Sequence, residues 1–278
     1  MIAFCIIIFS LSGFKAQAAS GNGASINLGK DGIVKVTFKN SKGTKVAISV
    51  KKTTSSKTYY YFTTAKKVNV QVPLTEGNGK YEISVLVLVD AERGAYAVQY
   101  KTMITLALKD SNKVYLGSNQ IVNWKQKNAA IKYANKITKK VKTDYKKIQK
   151  IYAYIVKSYH YDYDKYRKNQ SGNLGMYAPN IGTIYRSKKG ICYDISALNA
   201  SMLRSLGIKA RLVTGYPKTK YYNGNVYHAW NKVYSKSKKR WYTIDATCDM
   251  CIYEQVKSFK TSNMNKKASQ YKTVNYMY

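Results

Sequence analysis

Gly190-Ile191-Cys192-Tyr193-Asp194 opens the segment whose reading decides the fold. From Cys192 to Leu206, the residues Ile195, Leu198, Met202 and Leu203 recur at the spacing of one helix face, and Gly207 ends the run. A cysteine therefore stands at a helix start. Free N–H groups and the positive end of the helix dipole favour a thiolate there. Lys188 and Lys189 add positive potential, and Gly190 lets the chain turn sharply into the helix. Taken alone, such a cysteine is more readily a small buried apolar residue.

Downstream, the spacing predicts strands at Ile208 to Tyr216, Asn225 to Tyr234 and Arg240 to Thr247. The second carries Val226-Tyr227-His228-Ala229-Trp230-Asn231, in which Val226, His228 and Trp230 share a face. The third carries Trp241-Tyr242-Thr243-Ile244-Asp245-Ala246-Thr247. Aspartate is depleted in strands, and a buried carboxylate needs a partner. The polar loop Ser235-Lys236-Ser237-Lys238-Lys239 makes the last two strands a hairpin, so Asp245 can face His228. A nucleophilic thiol needs a base, and the base needs an orienting acceptor. Cys192, His228 and Asp245 are the candidates for those three roles, in that order.

These motifs, with Leu203-Arg204-Ser205-Leu206-Gly207-Ile208-Lys209-Ala210-Arg211 and Gly215-Tyr216 between them, resemble the core of the transglutaminase-like superfamily over about residues 128–250. The resemblance implies a papain-like α+β fold and a Cys-His-Asp triad of Cys192, His228 and Asp245. It also implies a thioester formed on an amide or peptide carbonyl, then passed to an amine or to water. Ala246 departs from the family, which often has Pro there. Protein cross-linkers, peptidases, amidases and inactive members all belong to this superfamily. The expected substrate is a protein or peptide, with hydrolysis and cross-linking both open. The rival reading is a catalytically silent, cell-wall-associated adhesion or scaffolding protein. The Cys192 N–H would serve the oxyanion, and Tyr161, Tyr177 and Tyr185 are candidates for the second donor, none preferred. The mechanism requires no cofactor. The scattered acidic residues form no calcium loop, so no metal is expected.

Upstream, Ala130, Ile131, Ala134, Ile137 and Val141 lie on one helix face. A second helix starts at Thr143-Asp144 and buries Ile148, Ile151, Tyr152, Ile155 and Val156. His160 stands at its end and reads as structural. Residues 162–189 show no period and read as a long loop, lid or insert. Before about residue 110 the pattern is all strand. Val34, Val36 and Phe38 alternate with Lys35, Thr37 and Lys39; Val68-Val70-Val72 and Tyr81-Ile83-Val85-Val87-Val89 repeat the period; Lys45 to Val50, Thr58 to Thr63 and Ala95 to Leu108 add further runs. About seven short alternating strands suggest an immunoglobulin-like sandwich. The expected class is therefore α+β, a papain-like transglutaminase core preceded by an all-β immunoglobulin-like sandwich. Its divisions are 1–18 signal peptide, 19–110 sandwich and 111–278 catalytic domain.

The signal peptide rests on the apolar run from Met1 to Phe14, followed by Ala16-Gln17-Ala18. That run is too short for a transmembrane anchor, and no later segment is a candidate. Lys and Arg number 48 against 13 Asp and Glu, and most of the excess lies in residues 111–278. Such a charge fits a secreted protein held on an anionic cell-wall polymer, or equally a lysine-rich solvated surface. No spacing specific for nucleic-acid recognition is present. Beyond the leader, three cysteines remain: Cys192, Cys248 and Cys251. Parity predicts a Cys248–Cys251 disulfide beside a free Cys192.

Overall fold

A computed structural model describes residues 18–175 and 177–278. The signal-peptide expectation therefore falls, but for Ala18, outside the described residues. The chain divides into two compact units, Met1–Val114 and Tyr115–Tyr278.

The first unit contains β1 (Ala18–Gly21), β2 (Ala24–Leu28), β3 (Ile33–Lys39), β4 (Val46–Lys52), β5 (Thr58–Thr63), β6 (Lys67–Pro73), β7 (Gly79–Asp90) and β8 (Ala95–Leu106). They form two four-stranded sheets, in the orders β1-β2-β3-β6 and β5-β4-β7-β8, with every neighbouring pair antiparallel. The alternating pattern explains why: β6 buries Val68, Val70 and Val72 and exposes Lys67, Asn69 and Gln71. In β7, Tyr81, Ile83 and Val85 are buried as the period predicts, but Val89 is exposed. The β7–β8 register shifts after Val85 and again after Leu88, and the pairing with β4 ends at Val87. The second shift skips Val89 on β7, beyond the end of its pairing with β4, so the outer end of this hairpin lies beyond the core face.

The second unit begins with α1 (Ala129–Thr138) and α2 (Asp144–Ser158). Thr143 caps α2 by accepting from the Lys146 N–H, and the five apolar residues expected to be buried are buried. β9 (His160–Tyr161), α3 (Tyr163–Gln170), α4 (Ile181–Ser187) and β10 (Lys189–Gly190) follow. The supposed long loop thus contains two helices. The sequence hides them because α3 buries no residue and α4 has only seven residues with two buried, leaving no apolar period to read. β9 and β10 pair in parallel and deliver the chain into α5 (Cys192–Ser205). α5 is the central helix: every residue from Asp194 to Arg204 is buried. Gly207 ends it at φ +75, as a left-handed cap requires.

β11 (Ala210–Tyr216), β12 (His228–Ser235), β13 (Arg240–Ile244), α6 (Ala246–Val256) and β14 (Thr273–Met277) complete the chain. The sheet order is β13-β12-β11-β14, all antiparallel, and α5 packs on β11 and β12. The expected third strand therefore stops early. Asp245 is the N-cap of α6, its side chain accepting from the Cys248 N–H at 3.0 Å, and the chain turns helical at once.

Candidate active site

Cys192 is the first residue of α5 and is half-buried. Its neighbour Gly190 allows close packing more than a sharp turn. A Cβ at Gly190 would lie 2.7 Å from the Cβ of Asp194. Asp194 needs that space. It is buried and accepts from the Ile191 N–H at 3.1 Å and from Lys165 Nζ at 2.7 Å. Lys165 also lies over the Tyr177 ring, 4.0 Å from its centroid. The polar helix α3 is thus tied to the start of α5.

His228 opens β12 opposite Gly215 of β11 and is 4% exposed. Its Nε2 lies 2.9 Å from Oδ2 of the fully buried Asp245. The Cys192 sulfur is close enough to act on the ring as well. Since Nε2 faces Asp245, Nδ1 is left for the sulfur. Burial pulls the His228 pKa down, but Asp245, the Cys192 sulfur and the hydrogen bond to Asp245 overcome it, and the result is a rise to about 10. Asp245 shows the converse. Burial raises it, yet His228 and donors from the Cys248 N–H and Tyr271 hold the carboxyl below its ordinary value. The structure thus brings Cys192, His228 and Asp245 together as neighbours.

The surroundings are rich in tyrosine. Tyr222, on the loop between β11 and β12, lies over the imidazole with ring centroids 4.4 Å apart. Burial, and then the nearby Cys192, push Tyr161 well above an ordinary phenol, so its hydroxyl remains a donor. Burial and Asp194 do the same to Tyr177, with Cys192 contributing. Tyr185 instead packs its ring under Lys188 Nζ at 3.8 Å. His160 is exposed, with Nδ1 2.9 Å from Glu254 Oε1. Sequence reasoning missed Tyr222, Tyr271, Tyr152 and Asp249. Tyr152 was marked only as core, and its hydroxyl stands 2.8 Å from both the Asp245 carbonyl and Asp249 Oδ2. Asp249 pairs with Lys266.

The disulfide expectation is corrected. Cys248 and Cys251 are free thiols on α6, which runs unbroken from its Asp245 cap. Burial raises both thiols to about 12. Among the described residues, no group of three or more His, Cys, Asp or Glu side chains is placed to hold a metal ion, and no helix is long and apolar enough to cross a membrane.

Residues 131–246 match the family model described as the transglutaminase-like superfamily. This chain carries a transglutaminase-like superfamily core. The matched core spans α1 to Ala246 and encloses Cys192, His228 and Asp245; the rest of α6 and all that follows lie outside it. An uncharacterized protein of Mycobacterium leprae (strain TN), ML0607, is 31% identical over 90 residues, which is 30% of this chain and 31% of that protein. The chain thus spans less than a third of that relative. A crystal structure of a protein from Cytophaga hutchinsonii, named as a candidate cysteine protease, is 17% identical, with TM-score 0.41, over 73% of this chain and 66% of that one. Red sea bream transglutaminase is 11% identical, with TM-score 0.30, over 77% of this chain and 48% of that one.

Proposed function

We propose that this protein is a thiol enzyme acting on amide or peptide carbonyls, with Cys192 as nucleophile, His228 as base and Asp245 as orienter. The observation that carries the reading is one buried imidazole between a helix-start thiol and a carboxylate 2.9 Å from Nε2. At neutral pH His228 already holds the proton that Cys192 gives up, and in the first half-reaction the Cys192 sulfur bonds to the carbonyl carbon. The oxygen takes the negative charge, near the Cys192 N–H, which has no acceptor within the helix. As the tetrahedral species collapses, the C–N bond breaks and His228 returns the proton to the departing amine. A thioester remains. Water or an amine then attacks it, giving its proton to His228, and the thiol is regenerated.

The sequence of the first unit supports an immunoglobulin-like sandwich, and so does its strand order. Setting β1 aside, β2-β3-β6 and β5-β4-β7-β8 take the places of strands A-B-E and C′-C-F-G. The apolar leader and the charge of +35 support export and retention on an anionic wall polymer.

The test is incubation with a thiol-reactive acyl probe and an amine. Labelling at Cys192, lost in Cys192→Ala, with turnover of the thioester by amine or water, is expected. Labelling that ignores Cys192 would refute the reading.

A further inference from the structure

The matched core ends at Ala246, yet residues beyond it complete the surroundings of the Asp245 carboxylate. Its Oδ2 accepts from two donors, His228 Nε2 at 2.9 Å and the Tyr271 hydroxyl at 2.8 Å. Its Oδ1 accepts from the Cys248 N–H at 3.0 Å. The three donors come from β12, from the 3-10 turn Ala268–Tyr271 and from α6. A carboxylate turns easily about its last bond, because that torsion is broad. Donors on both oxygens remove the freedom.

Tyr271 is itself held. It is 2% exposed, packs with Val213, Trp230, Val274 and Met277, and meets Trp230 edge-to-face at 5.2 Å. Burial and Asp245 raise its pKa far above that of an ordinary phenol, so the hydroxyl stays a donor.

We infer that Tyr271 is a positioning residue: its hydroxyl fixes the Asp245 carboxylate so that Oδ2 lies in line with His228 Nε2. The segment after the matched core is then part of the catalytic apparatus. This rests on the triad reading above. The hydroxyl also keeps the carboxylate ionised, since a donor to the charged form lowers its pKa. The other groups facing Asp245 are Cys248, Asp249 and Cys251 on α6, Tyr152 on α2 and Tyr222 on the β11–β12 loop. Asp249 is countered by Lys266. None of these side chains donates to Oδ2.

The experiment is the rate of Cys192 alkylation by iodoacetamide against pH, located by peptide mass spectrometry. The full chain is compared with Tyr271→Phe, Asp245→Asn and the double variant, with Tyr60→Phe as an exposed control. Phe keeps the ring against Trp230, and a melting curve checks the fold. Tyr271→Phe should slow labelling about tenfold near neutral pH, the value of a hydrogen bond to a charged group. Its acid limb should move up by about one pH unit. In the Asp245→Asn background, Tyr271→Phe should cost nothing more, because it acts through Asp245. Coincident pH profiles, a uniform loss without a shift, or additive losses would overturn the inference while leaving the triad reading intact. An ordinary thiol profile for Cys192 in the unaltered chain would overturn both.

Discussion

The two units bury different chemistry. Among the described residues, Met1–Val114 buries Asn40, Thr75 and Ser84 as its polar side chains, and none of them is charged. Tyr115–Tyr278 buries Asp194, Arg204, His228, Asp245 and Asp249. Taking an ion out of water costs several kcal/mol, so a buried charge persists only with partners. Each of these has them. Arg204 donates to the carbonyls of Ala210, Gly117 and Tyr278; Asp194 has Lys165; Asp249 has Lys266; and His228 has Asp245. Apolar alternation is enough to hold the sheets of the first unit. The second unit holds partnered charge beside a helix-start thiol, and that is where chemistry is to be sought.

The sharpest way to break this comparison is to remove the thiol. Cys192→Ala should lower turnover of an amide substrate by about a millionfold, the scale of losing a nucleophile, with circular dichroism unchanged. Retained turnover would move the chemistry elsewhere. Asp245→Asn should follow, at about ten-thousandfold in kcat, because the imidazole loses its orienter. A steady-state KM that rises instead, with kcat intact, would make Asp245 a binding residue.

The comparison also predicts different responses to pH. His228 rises from 6.5 to about 10 in the folded chain. Its contribution is fully present below about pH 6.5 and is lost as pH climbs through about 10. Asp245 is lowered from 3.8, so its contribution is present above that value and is lost as pH falls below it. Melting of the second unit should therefore fall off on the alkaline side, and His228→Gln should flatten that fall. The transition of the first unit should not follow it. Calorimetry across pH would show whether the two move together, which would erase the distinction.

The smallest effect on activity comes from the first unit. Ile83 is fully buried in β7, and Ile83→Ala should cost about 2–5 kcal/mol of that unit's stability. Cys192 labelling should be unchanged. A denaturant melt paired with labelling would check both halves of the statement.

Local spacing was enough for much of this. The apolar face of α2, the alternation of β6 and the stop at Gly207 depend on contacts between near neighbours, and those are written in period and turn chemistry. Cys192, His228 and Asp245 were singled out by residue type and by the elements carrying them. Other features had no local mark. α3 is polar on every side, so nothing in its pattern distinguishes it from a loop. The place where β13 gives way to α6 is set by the Asp245 cap, which reads equally well as a strand end. Cys248 and Cys251 suggested a bond by parity, but in the fold both are free thiols. Above all, Tyr271 and Tyr152 reach Asp245 across 26 and 93 positions of chain. Composition and spacing describe what a residue can do with its neighbours in sequence; which distant hydroxyl meets a buried carboxylate is decided only when the chain is packed.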